Sequence, residues 1–147
     1  MTVIKTTLGV LLAATLAGVF AVAGSASPRS GELHVLKDCS DYNFGAGEHC
    51  TIQSSSLNAI APGMKVVYAS AAGATGLDSD LVLDGPGNND AFGHVTLHFS
   101  SLSGDVRFTG GTGRFRGFTA DVHVTHVAGT LWRWDGNYSF NPPGQDR

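Results

Sequence analysis

Apolar residues recur at every second position in short segments of this chain, and clusters of glycine, asparagine and aspartate separate the segments. Side chains alternate between the two faces of a strand, so this period predicts strands buried on one face. Outside the N-terminal region, no segment of useful length has the apolar period of a helix. The expected strands span residues 33–36, 50–56, 64–69, 77–84, 93–99, 105–109, 118–127 and 131–140. The 20 glycines of the chain favour a closed barrel over a sandwich, because glycine permits tight bends at barrel corners.

The N-terminal region has the order of a secretory signal peptide. Lys5 precedes an apolar and small-residue run over residues 8–23, and residues 24–26 (GSA) suit cleavage by signal peptidase. A membrane anchor is the alternative, but the run is shorter than the ~20 strongly apolar residues of a span and is diluted by alanine and glycine. We expect a secreted protein without membrane contact after cleavage. The expected parts are a signal peptide (1–26), a linker (27–32), one β-barrel domain (33–141) and a tail (142–147).

The charge of the exported part argues against nucleic acid as a partner. Lys5 leaves with the signal, so eight Lys and Arg residues oppose twelve Asp and Glu residues, for a net charge of about −4 with neutral histidines. Binding of nucleic acid requires a basic face, which this balance does not supply. Arg107, Arg114 and Arg116 cluster near one turn, a pattern more typical of a solvated hairpin edge.

Cys39 and Cys50 are the only cysteines of the chain. In an oxidising compartment, two cysteines this close predict one local disulfide, which would stabilise the fold by roughly 3 kcal/mol. A metal site is the alternative, but two thiols are too few ligands, and His34 and His49 have no zinc-site spacing around them. We expect neither a metal nor a cofactor.

The segment VRFTGGTGRFRGFTADVHV, residues 106–124, places a glycine-rich turn between two alternating runs. A phosphate-binding loop would lead into a helix and would carry Lys followed by Ser or Thr. Here Arg114 and Phe115 follow the glycines, and the chain continues as a strand. The glycines therefore predict a sharp strand-to-strand connection.

Together with residues 93–95 (GHV), the turn motif of Gly110, Gly111, Gly113 and Phe115 resembles the GGTG(x)F turn of allene oxide cyclases and dirigent proteins. The resemblance covers roughly residues 80–140. It implies an all-β, eight-stranded antiparallel barrel of that type, with an apolar lumen for a lipid-like or aromatic molecule. It also implies a homo-oligomer, either a trimer or a dimer. The polar catalytic residues of the plant cyclases are not carried over to this sequence.

Strand parity selects the candidate ligand-binding residues. Trp132, Trp134 and Tyr138 share one face of the last strand, and this stripe is either barrel core or the wall of a ligand cavity. Tyr68 and His94 are the candidate polar anchors of an apolar ligand. His94 and His98 are ~13 Å apart on an extended strand, so they cannot share one metal ion.

The strand over residues 77–84 alternates acidic and apolar residues. Asp78, Asp80 and Asp84 share one of its faces. A cation site is one interpretation of this face, and a solvated surface is the other and the more common one.

Two classes of function follow from these observations. The first is a secreted barrel that binds a small apolar molecule, with a cyclase or isomerase as its enzymatic form. The second is a non-catalytic extracellular structural or interaction module, whose barrel is filled by its own side chains. The sequence has no Gly-x-Ser-x-Gly elbow and no His-Glu-x-x-His motif that would assign a hydrolytic reaction.

Overall fold

The strands of this protein close into a barrel whose order follows the sequence, with β1 paired to β8. The structure is a computed structural model and describes residues 29–141, so the expected signal peptide and tail lie outside the described residues. All neighbouring strands are antiparallel. The strands are β1 (Ser30–Asp38), β2 (His49–Ser55), β3 (Lys65–Tyr68), β4 (Gly76–Asp84), β5 (Asp90–His98), β6 (Ser103–Gly111), β7 (Phe118–Ala128) and β8 (Leu131–Phe140).

The expected all-β, eight-stranded antiparallel barrel is confirmed, and the strand ends differ from expectation by a few residues. β1 begins at Ser30 rather than at Leu33, because Ser30 pairs with Ser139 and continues the ladder with β8. Gly31 lies beneath the Tyr138 ring, and a Cβ atom there would be 3.3 Å from it. Pairing with β8 thus extends the first strand into the expected linker. In the described part of the chain, no helix is long and apolar enough to cross a membrane.

The barrel has two ends, which we name by their connections. The disulfide end carries the connections after β1, β3, β5 and β7, which are residues 39–48, 69–75, 99–102 and 129–130. The glycine-turn end carries the connections after β2, β4 and β6, which are residues 56–64, 85–89 and 112–117.

Large aromatic side chains fill the barrel from its middle toward the glycine-turn end. Trp134, Phe108 and Phe118 are fully buried. The centroid of the Phe108 ring is 5.6 Å from that of Phe118 and 5.6 Å from that of Trp134. Burial of each such side chain stabilises the fold by about 1.5–3 kcal/mol relative to exposure. The interior is therefore a packed core at this level.

The connection between β6 and β7 is a strand-to-strand turn, as the glycines predicted, and it contains a short 3-10 helix (Gly113–Phe115) that the sequence did not suggest. Gly113 has a φ of 58°, in the left-handed region that favours glycine. The Arg114 backbone N–H donates a hydrogen bond to Asn89 Oδ1 at 2.9 Å. Phe115 is fully buried, with its ring 5.4 Å from that of Phe118. The turn thus packs against the neighbouring loop and plugs the glycine-turn end with a phenyl ring.

Cys39 and Cys50 form the predicted disulfide across a sequence separation of 11 residues. Cys50 lies in β2 and is buried, whereas Cys39 follows the last residue of β1. The Cys39 N–H also donates a hydrogen bond to the Thr130 carbonyl at 2.8 Å. The disulfide therefore ties the connection after β1 to β2 in the barrel wall, at the disulfide end.

Replacement of Gly113 by alanine should destabilise the protein by about 2–4 kcal/mol, as the sum of a left-handed backbone penalty and a steric clash. A Cβ atom at this position would lie 2.2 Å from Asn89 Oδ1 and 2.5 Å from the Asn88 carbonyl oxygen. Gly129→Ala is the matched control, because Gly129 has a φ of 53° but no atom within 4 Å of its would-be Cβ. Urea unfolding of both variants measures the difference. Equal losses would contradict the packing of this turn.

Candidate functional site

A cavity of about 300 Å³ opens at the disulfide end of the barrel. Most of its wall is apolar or aromatic and comes from β3, β4, β5, β8 and the connection after β1. The side chains that define this wall are Tyr42, Phe44, Tyr68, Leu77, Leu97 and Trp132. A concave, mainly apolar wall with a few polar groups is typical of small-molecule sites.

Lys37 is the charged residue of this cavity. It continues the inward row that Leu33 and Val35 begin in β1, and it is only 5% exposed. Its Nζ donates a hydrogen bond to the Tyr68 hydroxyl at 2.5 Å. Nζ also lies 5.1 Å from the centroid of the Trp134 ring and 5.2 Å from that of the Tyr68 ring. The lysine therefore places a polar group where strand parity calls for an apolar one.

Burial lowers the pKa of Lys37 to about 7, because the charged form loses its solvation in an apolar environment. Among residues 29–141, no carboxylate forms an ion pair with Lys37 that would restore the charged form. The aromatic rings offer a partial compensation through cation–π contacts. A substantial fraction of this amine is therefore neutral near neutral pH.

Two tyrosines add hydroxyl groups to the same cavity. Burial raises the pKa of Tyr68, so its hydroxyl stays protonated, and this hydroxyl also contacts Cys50 Sγ at 3.6 Å. The centroid of the Tyr42 ring lies 5.2 Å from that of Tyr68. Within the described residues, the buried Tyr42 hydroxyl oxygen has no hydrogen-bond partner. A buried unpaired hydroxyl is unfavourable, so a bound polar atom beside it would be stabilised.

Phe44 stands at the rim of the cavity. Its side chain is 57% exposed, which is unusual for a large apolar group beside an apolar cavity. Its ring contacts Tyr42 on one side, at 5.2 Å between centroids, and Phe99 on the other, at 6.3 Å. The rim thus offers an apolar surface to a molecule that approaches the cavity.

The structure brings some of the sequence-predicted residues together. Tyr68 and Trp132 line the cavity at the disulfide end, and Trp134 lies behind Lys37 in the core. Tyr138 is also inward but lies toward the glycine-turn end, where it lines a second cavity of about 390 Å³. The stripe on β8 is therefore partly cavity wall and partly core.

His94 does not lie in the lumen. It points outward from β5, where Nδ1 contacts Asp80 Oδ1 at 2.8 Å and Nε2 contacts Asp78. These two hydrogen bonds raise the pKa of His94. The inward positions of β5 belong to apolar residues such as Val95, so the histidine occupies the solvated face. In the part of the chain that the structure describes, no group of three or more His, Cys, Asp or Glu side chains could hold a metal ion.

Sequence reasoning missed Lys37 and Tyr42. The sequence pattern could have predicted that Lys37 faces inward, because it alternates with Leu33 and Val35. It was missed because the expected strand ended at Leu36. Tyr42 lies in an irregular connection, where strand parity does not apply. Its ring packs on that of Tyr68, and its N–H donates a hydrogen bond to the Cys39 carbonyl at 3.1 Å.

The buried amine predicts a pH-dependent stability difference between the wild type and Lys37→Met. The folded pKa is about 7 and the ordinary value is 10.5, so the unfolded chain binds more protons between these values. Stability relative to the variant is therefore lowest below pH 7 and should rise by on the order of 1 kcal/mol per pH unit between pH 7 and 9.5. Urea unfolding at several pH values measures this, with Lys65→Met as the control at an exposed lysine of β3. Parallel curves for wild type and Lys37→Met would contradict the burial of a neutral amine.

No family model, no curated protein and no solved structure matches this chain. The allene oxide cyclase/dirigent type of the barrel therefore stays a prediction from the glycine turn, and the cavity itself must carry the functional interpretation.

Proposed function

We propose that this protein is a secreted barrel that binds a small apolar molecule, lipid-like or aromatic, in the cavity at the disulfide end. The observation that carries the proposal is the combination of an apolar wall with one buried amine, Lys37, at its inner side. The wall would hold the apolar part of the ligand. Lys37 and the hydroxyls of Tyr68 and Tyr42 would orient its polar end.

The allene oxide cyclase/dirigent type is part of this proposal. The support is the turn motif: Gly110 and Gly111 end β6, Gly113 lies in the connection to β7, and Phe115 of that connection is buried in the core. A cyclase or isomerase would be the enzymatic form of the same binding function, acting by imposing a shape on its substrate. A homo-oligomer, trimer or dimer, belongs to the same proposal.

The competing candidate is a non-catalytic extracellular module that acts through its outer surface. The packed cluster of Trp134, Phe108 and Phe118 favours it, since these rings fill the lumen from its middle toward the glycine-turn end. The cavity at the disulfide end nevertheless remains beside that cluster, with an exposed phenyl group at its rim. We therefore prefer the binding function.

Ligand binding should quench tryptophan fluorescence saturably, because Trp132 lines the cavity. A panel of fatty acids, oxylipins and small phenolics tests this. Leu97→Phe narrows the cavity and should raise the Kd at least tenfold, which corresponds to about 1.4 kcal/mol of binding free energy. Thr96→Phe is the matched control, because Thr96 is the preceding residue of β5 and faces outward; it should change the Kd less than twofold.

Two results of that titration would contradict the binding proposal. The first is an absence of saturable quenching with every compound, which would favour the non-catalytic module. The second is an equal effect of Leu97→Phe and Thr96→Phe, which would place the ligand outside the cavity.

Export of the protein is tested separately. N-terminal sequencing of protein from culture supernatant should begin near Ser27, because the small residues 24–26 end the apolar run. Full-length protein confined to the cytosol would overturn the secreted location. The disulfide between Cys39 and Cys50 supports it, since such bonds persist in oxidising compartments.

A further inference from the structure

We infer that Lys37 forms a reversible imine with an apolar aldehyde that enters the cavity at the disulfide end. This inference rests on the proposed function, because it names the chemical class of the ligand for the same cavity. The carbonyl carbon would bond to Nζ, and the apolar part of the aldehyde would lie against the aromatic wall.

The position of Lys37 is the first argument. A lysine in a strand usually keeps its ammonium group in water, but Lys37 is 5% exposed and lines the cavity. Lys65, in β3, is exposed and shows the ordinary arrangement. A desolvated lysine without a carboxylate partner is the form of this side chain that reacts with carbonyl compounds, since its neutral amine carries a free electron pair.

The groups that face Lys37 are the second argument. In the described structure, the titratable side chains around the amine are Tyr68 of β3 and Tyr42 of the connection after β1. Cys39 and Cys50 are joined in the disulfide and do not titrate. Neither tyrosine supplies a negative charge, because burial raises the pKa of both hydroxyls. The surroundings therefore favour the neutral amine that the reaction requires.

The reaction balances with the groups present and water. The Nζ electron pair attacks the carbonyl carbon, a C–N bond forms, and one proton moves from nitrogen to the carbonyl oxygen. The resulting carbinolamine loses its hydroxyl group with a second proton as water, and the C=N bond forms. No electrons are gained or lost overall, and hydrolysis by water reverses the reaction.

Tyr68 is placed to assist both proton transfers. Its hydroxyl lies 2.5 Å from Nζ, within reach of the oxygen of a carbonyl group whose carbon Nζ attacks. Because its pKa is raised, the hydroxyl stays protonated and can donate to that oxygen. The buried Tyr42 hydroxyl, which has no partner among residues 29–141, offers a second donor at the same cavity. An aldehyde thus meets a nucleophile and two hydroxyl donors.

The cavity wall selects for an apolar aldehyde of modest size. A volume of about 300 Å³ is at the lower end of small-molecule sites. Leu77 and Leu97 line one part of the wall, and Trp132 lines another, so flat aromatic and short aliphatic chains both find complementary surface. An apolar carboxylate, which would pair with the charged form of Lys37, is the rival ligand that the experiment must distinguish.

The test is reductive trapping on the oxidised, exported protein. Benzaldehyde or hexanal is added at equimolar concentration near pH 7 with sodium cyanoborohydride, which reduces an imine to a stable secondary amine. Peptide mass spectrometry then locates the adduct. We expect labelling of Lys37 at least tenfold above that of Lys65, and at least tenfold slower labelling of Lys37 in Tyr68→Phe. In Lys37→Arg and Lys37→Met, labelling at position 37 should disappear.

Folding of the variants is checked without a ligand. Near-UV circular dichroism, which reports the packing of the buried aromatic side chains, should be the same for Lys37→Met, Tyr68→Phe and the wild type. Equal labelling of Lys37 and Lys65, or unchanged labelling in Tyr68→Phe, would overturn the inference.

The outcomes separate the inference from the proposed function. Saturable quenching by phenols or fatty acids without any adduct at Lys37 would overturn the imine and leave the binding function standing. Tight binding of carboxylates that depends on Lys37, again without trapping of aldehydes, would overturn it in favour of an ion pair. Absence of both quenching and adduct would reject both proposals.

Discussion

The pairing of β1 with β8 is the interaction on which the rest of the structure depends. It runs from Ser30 opposite Ser139 to Asp38 opposite Leu131, and it turns a row of consecutive hairpins into a closed surface. Closure leaves no strand edge unpaired and obliges every second residue to face the interior. Lys37 faces inward because it shares the alternating positions of the buried Leu33 and Val35 in β1. The burial of this lysine is thus a consequence of alternation in a closed sheet.

The parts of the fold that the sequence predicted are those in which one local pattern is sufficient. Alternation located the strands, since inward positions such as Leu81 and Leu83 are apolar while Asp80 and Asp84 face water. The glycine turn was also predicted, because no Lys-Ser or Lys-Thr pair follows the glycines in the sequence. The positive φ of Gly113 agrees with that prediction. The short spacing of the two cysteines was sufficient to predict the disulfide between them.

The cavity could not be predicted in the same way, because it is assembled from residues that are distant in the chain. Lys37 and Tyr68 meet through strands β1 and β3, which are not neighbours in the barrel. Tyr42 reaches them from an irregular connection. His94 was predicted to face the lumen but faces solvent. Val95 and Leu97, at the alternate positions of β5, are the residues that face inward. Which parity faces inward is decided by the whole barrel, and a mixed strand shows this only weakly.

Phe115 makes the two ends of the barrel different. Its ring packs among the core aromatics at the glycine-turn end, so side chains fill the lumen there, whereas the Lys37 cavity opens at the disulfide end. If the cavity holds a ligand, that ligand would enter and leave at the disulfide end, because the core aromatics fill the lumen on the other side. Exchange would then be governed by a single aperture, whose edge includes the loop held by the disulfide.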